Sequence, residues 1–271
     1  MEMNKSSSHL DLASIHHFEV LDSTNDLARQ WIVAGAPAGT VIVAKNQTAG
    51  RGRQGRSWAT IPGSLLFSMI LRPNWAAEQA NRIGLYACVA GALAAEKQTG
   101  SPGWIKWPND LVLPKLAAKD AGPTARPQSW AKWGGILVET GVSSGRCEWA
   151  ILGVGLNLSS PGNAVQPCAF TFSSLGEYSG TDPDGEAFLS SYLSFFQGLY
   201  AAVLGGDWER GLAEWRKRDV LTGRMVSVDS SGDFIIGFAR GIDDLGRLLI
   251  DTDEGILSVA AGDVHLLGIG D

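Results

Sequence analysis

A short segment rich in glycine and arginine is the part of the sequence best suited to bind an anion. Residues 50–56 read Gly-Arg-Gly-Arg-Gln-Gly-Arg, so three glycines alternate with three guanidinium groups, those of Arg51, Arg53 and Arg56. Glycine lets the backbone approach a ligand closely, and a guanidinium group makes paired contacts with a phosphate or a carboxylate. The segment therefore predicts a loop that folds over an anionic ligand, in preference to an ordinary solvated basic loop.

Two better-known glycine motifs do not fit this segment. Gly50, Gly52 and Gly55 match the GxGxxG pattern of dinucleotide-binding folds, in which the glycines open a helix. Residues 57–71 instead contain a Pro-Gly pair followed by a run typical of a strand. A Walker loop is excluded because no Gly-Lys-Ser/Thr follows. The segment thus indicates phosphate or carboxylate binding outside these two folds.

The composition limits the class of protein. The chain has 271 residues, of which 45% are hydrophobic and 18% are charged, as in an ordinary globular protein. The net charge of −6 argues against a surface built to hold DNA, and the apolar stretches are shorter than a membrane span. Residues 1–9 lack the apolar core of a secretory signal, and Cys88, Cys147 and Cys168 lack zinc or redox spacing. We expect a cytoplasmic protein that binds neither DNA nor a membrane.

The anion-binding loop needs a rigid framework, and the hydrophobic pattern around it predicts an α+β domain. Residues 22–25 offer N-cap chemistry ahead of an amphipathic helix, and residues 80–98 form an alanine-rich helical stretch. We expect a mixed sheet with helices packed on a face over residues 16–218, after a disordered tail at 1–15. The expected strands are 16–21, 41–44, 64–71, 104–107, 111–113, 135–140 and 147–158, and the further helices are 185–204 and 207–218. Two loops are expected at 114–131 and 159–171, and the first is interpreted as an insertion.

A change of pattern near Asp219 predicts a second, smaller domain. From Val220 onward, short strands are separated by glycine and aspartate, as in small β-barrels. We expect an SH3-like β-barrel over residues 219–271. Its strands are expected at 225–228, 234–239, 246–250 and 255–260.

Five blocks of the sequence resemble the biotin protein ligase family. The arginine loop has the family's GRGRxGR form, and residues 106–110 read Lys-Trp-Pro-Asn-Asp, which matches its KWPND segment. Residues 135–139, Gly-Ile-Leu-Val-Glu, match the strand that follows the family's second functional lysine. Residues 22–25 match its substrate-side turn, and residues 153–157 match its late glycine-rich strand. The resemblance implies a class II synthetase-like catalytic domain followed by the small barrel.

The family's reaction joins two anions. Members join the carboxylate of biotin to the α-phosphate of ATP, release pyrophosphate, and pass the biotinyl group to a lysine of a biotin carrier domain. The resemblance implies ATP and biotin as substrates with Mg²⁺, and the carrier domain as partner. Positive charge suits this chemistry because it lowers the repulsion between the carboxylate and the phosphate. By resemblance, the catalytic residues are Lys106, Lys132, Arg53 and Arg56.

The resemblance also implies where each substrate binds. The hydroxyl groups of Ser23 and Thr24 and the amide of Gln47 can hydrogen-bond the ureido ring of biotin, although helix capping is an alternative role for the first two. Trp58 resembles the aromatic residue that packs on adenine, and Asp110 is a candidate to reach Mg²⁺ on the nucleotide. The biotin set is Ser23, Thr24, Asn25, Gln47, Gly50, Arg51, Gly52, Arg53, Lys132, Gly134, Gly153 and Gly155. The ATP set is Arg51, Arg53, Arg56, Trp58, Lys106, Asn109, Lys132 and Asn157.

The second lysine has a competitor. Lys115 begins a Lys-Leu-Ala step that also resembles the family. Lys132 is preferred because its distance to the strand at 135–139 matches, and the extra residues then fall in a loop, where insertions are tolerated.

Three other functions compete with a biotin ligase. A lipoate or octanoate protein transferase has a related fold but lacks the arginine loop and the KWPND block. A biotin-sensing repressor needs a DNA-binding domain, for which too few residues precede residue 16, so a monofunctional ligase is expected. A catalytically inactive scaffold is the third alternative, and the intact set of lysines and arginines argues against it. The resemblance also implies a homodimer formed through the sheets.

Overall fold

The larger domain is built on one mixed sheet. The structure, a computed structural model, describes residues 10–115, 129–160, 173–230 and 233–267. The strands of this sheet run in the order β1-β2-β3-β8-β7-β6-β5, with β4 paired to β8. Only the β1–β2 pair is parallel, so the predicted mixed sheet is confirmed. The strands are β1 (Ser14–Leu21), β2 (Thr40–Gln47), β3 (Ser64–Leu71), β4 (Trp75–Ala76), β5 (Trp104–Lys106), β6 (Asp110–Pro114), β7 (Trp130–Ser143) and β8 (Arg146–Asn157).

Helices cover both faces of this sheet, whereas one covered face was expected. Successive residues of a strand point to opposite faces, and β3 shows the consequence. Phe67 lies in the main core, with its ring centroid 5.1 Å from that of Tyr192. Ile70 faces the other way and packs with Ala28 and Ile32. The helices are α1 (Thr24–Val33), α2 (Asn81–Thr99), α3 (Leu175–Ser179), α4 (Gly185–Leu204) and α5 (Glu209–Arg216), of which α1 lies on the second face and α2, α4 and α5 share the first.

Helix α4 is more apolar than the sequence expectation allowed. It is long and hydrophobic enough to cross a membrane by length and composition alone. Half of its most apolar window is buried within the protein, however, and Phe188, Tyr192 and Phe196 are fully enclosed. A core helix passes the same test of length and composition, and α4 packs against α2.

The N-terminal expectation needs correction. Residues 1–9 of the predicted disordered tail lie outside the described residues, but residues 10–15 are ordered. Leu10 is 4% exposed and joins the main core, and its carbonyl accepts a hydrogen bond from Gln197 Nε2 at 2.7 Å. The strand β1 then begins at Ser14, two residues earlier than expected. Burial of Leu10 and hydrogen bonds at Leu10 and Ala13 hold this segment against the core.

The predicted insertion at 114–131 is shorter than expected. Pro114 pairs with Trp130 and Leu113 pairs with Ala131, so strands β6 and β7 take up both ends of the segment. Residues 116–128 lie outside the described residues. The apolar faces of Leu113 and Ala131 are buried, which favours continued strand pairing over a loop.

The C-terminal part is an antiparallel sheet of five strands, ordered β12-β11-β10-β9-β13. Its last strand was not expected from the sequence, and closure into an SH3-like barrel stays a prediction. The junction near Asp219 is fixed by β5, because Ile105 bonds to the backbone on both sides of that residue. The strands are β9 (Met225–Ser230), β10 (Asp233–Ile242), β11 (Leu248–Thr252), β12 (Gly255–Val259) and β13 (Asp263–Leu266).

The two domains contact each other at the Lys-Trp-Pro-Asn-Asp turn. The indole Nε1 of Trp107 donates to the carbonyl of Gly246 at 3.0 Å, and Trp107 is only 2% exposed. Gly246 has a φ of +77°, and a Cβ there would collide with Leu85 of α2. The turn at 106–110 is therefore held from both domains.

Truncation of Leu10 tests whether the segment before β1 belongs to the fold. Leu10→Ala is expected to lower the free energy of unfolding by about 2 kcal/mol, because it leaves a cavity in the core. Val33→Ala, at a side chain that is 87% exposed, is the matched control and should change the value by less than about 0.5 kcal/mol. Equal, small effects in denaturant titrations would show that Leu10 is not packed.

Candidate active site

The glycine–arginine segment forms a narrow loop directly after β2. The backbone N–H of Trp58 donates to the carbonyl of Gly50 at 2.8 Å, and that of Gly52 donates to Arg56 at 2.7 Å. At its tip, Gln54 has a φ of 53°, in the left-handed region. The loop lies on the face of the sheet that carries α1.

Trp58 closes this loop over two glycines. A Cβ on Gly155 would lie 2.6 Å from the indole ring, and one on Gly135 would lie 2.9 Å from it, so only glycine leaves room for the ring. The ammonium of Lys132 lies 5.5 Å from the ring centroid. The indole Nε1 is buried against Gly155 and has no hydrogen-bond partner among the described residues.

The two predicted lysines meet at one end of the sheet. The backbone of Lys106 in β5 is the strand partner of Asp110 in β6. The side chain of Lys132 forms an ion pair with Asp110, with 2.5 Å between Nζ and Oδ1. Within the described part of the chain, no acceptor lies within hydrogen-bond distance of the Lys106 ammonium. Burial lowers the pKa of Lys106, and the nearby positive charge of Lys132 lowers it further, although the carboxylate of Asp110 opposes this. A half-buried cation of this kind is suited to bind an anion.

Two arginines of the loop reach this cluster. Arg53 donates to Asn109 Oδ1 at 3.0 Å, and Asn109 is itself held by Ile136, to whose carbonyl its Nδ2 donates at 2.8 Å. Burial is the main cause of a lowered pKa at Arg53. Arg56 forms an ion pair with Asp263 of β13. The smaller domain thus contributes a carboxylate to the rim of the site.

The third arginine points away from the lysines. Arg51 forms an ion pair with Asp26 at 2.5 Å and lies 3.5 Å from Glu139. The hydrogen bond from Arg51 to Asp26 is the largest cause of its raised pKa. The structure therefore brings Arg53 and Arg56 together with the lysines, whereas the side chain of Arg51 secures the loop to α1.

A row of polar side chains lies under the loop at the start of α1. Gln47 Oε1 accepts from the backbone N–H of Thr24 at 2.7 Å, and Ser68 Oγ lies 2.7 Å from Thr24 Oγ1 and 2.6 Å from Asn25 Oδ1. The hydroxyl of Ser23 caps the helix by accepting from the N–H of Asp26 at 3.4 Å. Helix capping and the predicted polar site thus coincide here.

The remaining predicted residues differ in position. Gly153 lies against Asn25, which leaves no room for a Cβ. Asn157 ends β8 and accepts from Ser64 Oγ at 3.3 Å. Gly134, predicted to bind biotin, faces Leu111 and Leu156 on the opposite side of the sheet, because neighbouring residues of β7 alternate between the faces. Gly50 is buried beside Gln47, and Gly52 has ordinary space around it.

Three residues of the site had no assigned role in the sequence analysis. Ser68 is fully buried in an otherwise apolar strand, and this break in the apolar run was the available signal. Glu139 belongs to a recognised block, but its hydrogen-bond partners Asn25 and Arg29 lie more than a hundred positions away. No local pattern marks Asp263.

The described residues do not form a metal cage. No group of three or more His, Cys, Asp or Glu side chains among them could hold a metal ion. The predicted metal residue, Asp110, is engaged by Lys132. A single carboxylate that already has a partner is a poor resident site for Mg²⁺, which usually arrives with phosphates.

Known proteins share both domains. Residues 17–157 match the profile described as "Biotin/lipoate A/B protein ligase family", and residues 220–267 match "Biotin protein ligase C terminal domain". The bifunctional ligase/repressor BirA of Bacillus subtilis is 30% identical over 254 residues, covering 93% of this chain and 73% of that protein. The biotin–[acetyl-CoA-carboxylase] ligase of Paracoccus denitrificans is 28% identical over 251 residues, covering 91% and 98%.

A solved structure agrees with these matches. The biotin protein ligase from Aquifex aeolicus in complex with biotin and ATP has a TM-score of 0.77 and 25% identity, covering 94% of this chain and 99% of that one. The chain therefore belongs to the biotin/lipoate A/B protein ligase family. Its second domain is the one described for the biotin protein ligases in particular.

The lowered pKa of Lys106 predicts how ATP binding depends on pH. The ammonium attracts phosphate only while protonated, so affinity should fall as the pH rises through a pKa below the ordinary lysine value of 10.5. Lys106→Arg keeps its charge over this range and should remove the alkaline loss, as measured by calorimetric titration with ATP. The same loss in the Lys106→Arg variant would assign the titrating group elsewhere.

Proposed function

We propose that this protein is an ATP-dependent ligase that activates biotin as biotinyl-5'-AMP and transfers it to a lysine of a biotin carrier domain. The observation that carries the proposal is the convergence of Lys106, Lys132, Arg53 and Arg56 beside a row of glycines and polar side chains on one face of the sheet. The matches to the biotin/lipoate A/B protein ligase family at residues 17–157 and to the biotin protein ligase C-terminal domain at residues 220–267 support it.

The first step brings a carboxylate to a phosphate. Lys106, which has no acceptor among the described residues, is placed to bind the phosphates of ATP, and Arg53 adds charge from the loop. Lys132 lies between this cluster and Trp58, at the junction where the carboxylate attacks. Fixed cations in a half-buried site stabilise the developing charge and exclude water without reorganising. Pyrophosphate then leaves, and the mixed anhydride stays under the loop.

The polar row at the start of α1 is the proposed site for biotin. The row formed by Thr24, Asn25 and Gln47 offers hydrogen bonds for the ureido ring, and Trp58 provides an apolar wall. A few directed polar groups beside an aromatic wall are typical of small-molecule sites.

The second step is attack by the carrier lysine on the activated carboxyl, which forms an amide and releases AMP. We propose that Mg²⁺ enters with ATP as part of the substrate, in keeping with the absence of a metal cage among the described residues. We also propose a cytoplasmic location, which the free, buried thiols of Cys88 and Cys147 support. A homodimer through a sheet edge stays a prediction.

Substrate choice separates this function from that of a lipoate ligase. ATP–pyrophosphate exchange is expected with biotin and not with lipoate or octanoate at equal concentration. The reason is that the polar row can pair with a ureido ring, whereas a simple acyl chain would leave the row unpaired. Exchange supported by lipoate alone would replace the proposal with the competing one.

The same exchange assay identifies the second lysine. Lys132→Ala is expected to lower the exchange rate by about 100-fold or more, because it removes a cation from the reacting centre. Lys115→Ala is the matched control and should keep the rate within about twofold, since Lys115 lies beyond the far end of β6 from Asp110. A normal rate in Lys132→Ala would transfer the role to another residue.

A further inference from the structure

Glu139 connects the polar row to the loop. Its Oε2 accepts from Asn25 Nδ2 at 2.9 Å, and its Oε1 accepts from Arg29 at 2.6 Å and lies 3.5 Å from Arg51. The side chain is 17% exposed. Three donors thus converge on one nearly buried carboxylate, which can only accept hydrogen bonds.

This carboxylate fixes which way the amide of Asn25 points. Oxygen and nitrogen of an amide have the same shape, so the network decides its orientation. Because Glu139 offers no hydrogen, the NH₂ group of Asn25 must face it. The oxygen of Asn25 then faces Ser68 and the backbone of Gly153.

The orientation is passed on through two hydroxyl groups. Asn25 Oδ1 has no hydrogen, so the 2.6 Å contact requires that Ser68 donate to it. The single hydrogen of Ser68 is then used, so Ser68 cannot donate to Thr24. The hydroxyl of Thr24 therefore gives its own hydrogen, either to Ser68 Oγ at 2.7 Å or to Gln47 Oε1 at 3.1 Å. The lone pairs of Thr24 Oγ1 are left to accept from a ligand.

We propose that Glu139 is a positioning residue that sets the direction of the Thr24–Ser68–Asn25 hydrogen-bond chain, and so leaves Thr24 Oγ1 as an acceptor for a ring N–H. This inference rests on the proposed function, because it names Glu139 as the source of selectivity for the cyclic urea of biotin. A ureido nitrogen donates, whereas a ring oxygen or sulfur at that position cannot.

Glu139→Gln is expected to reverse the chain. Arg29 can only donate, so the oxygen of the introduced glutamine stays with it and the glutamine NH₂ faces Asn25. The amide of Asn25 then turns over, and Ser68 accepts from it and donates to Thr24. Thr24 gives its own hydrogen to Gln47 Oε1, and a lone pair that was open to a ligand is now occupied. Biotin affinity in calorimetric titrations should fall by about 10- to 100-fold, whereas ATP affinity should stay within about twofold.

A double variant separates direction from packing. In Asn25→Asp/Glu139→Gln, the new carboxylate accepts both from the NH₂ group of the introduced glutamine and from Ser68, which restores the original direction with the net charge unchanged. Asn25→Asp alone places two carboxylates face to face and should bind biotin poorly. The double variant is expected to recover at least about tenfold over either single variant, and a thermal-unfolding cycle should show the same coupling without biotin.

The control is Arg29→Gln, which removes an ion pair of Glu139 and leaves its hydrogen bond with Asn25. It should keep biotin affinity within about threefold. Equal losses in Arg29→Gln and Glu139→Gln, or a double variant no better than Glu139→Gln in both measurements, would overturn the proposal. A wild-type protein that binds no biotin would instead overturn the proposed function, and the unfolding cycle would still decide the direction of the chain.

Discussion

The repulsion between a carboxylate and a phosphate is the constraint around which this site is arranged. Opposing it requires several cations in a confined space, and cations repel one another. A different contact fixes each of these cations. Lys106 begins a turn that both domains hold, Lys132 forms an ion pair with Asp110, and Arg53 donates a hydrogen bond to Asn109. Each charge is fixed by a different part of the fold, so little reorganisation is needed when the anions arrive.

The other end of the site depends on the absence of side chains. Gly153 leaves room for Asn25, and Gly135 and Gly155 leave room for the ring of Trp58. The polar row and the indole of Trp58 can therefore pack directly against the backbone of the sheet. In the proposed function, the cationic end receives the carboxylate and the phosphates, and the polar row receives the ureido ring.

Local patterns predicted the parts of the site that lie close together in sequence. The arginine loop was recognisable from residue type and spacing, and residues 106–110 were recognisable from their resemblance to a family motif. Contacts between elements distant in sequence could not be recognised in this way. Glu139 accepts a hydrogen bond from Asn25, 114 positions away, and Asp263 forms an ion pair with Arg56, 207 positions away. The burial of Leu10 was missed, and Gly134 was predicted to bind biotin although it lies on the other side of the sheet. Both depend on how the sheet packs, which local sequence does not show.

Transfer of biotin to protein tests the central claim most directly. The protein is incubated with ATP, Mg²⁺, biotin and a purified biotin carrier domain, and the intact mass of the carrier is measured. The mechanism predicts the addition of one biotinyl group at a single lysine, dependent on ATP, with biotinyl-5'-AMP detectable when the carrier is omitted. An unchanged carrier mass together with no biotinyl-5'-AMP would contradict it.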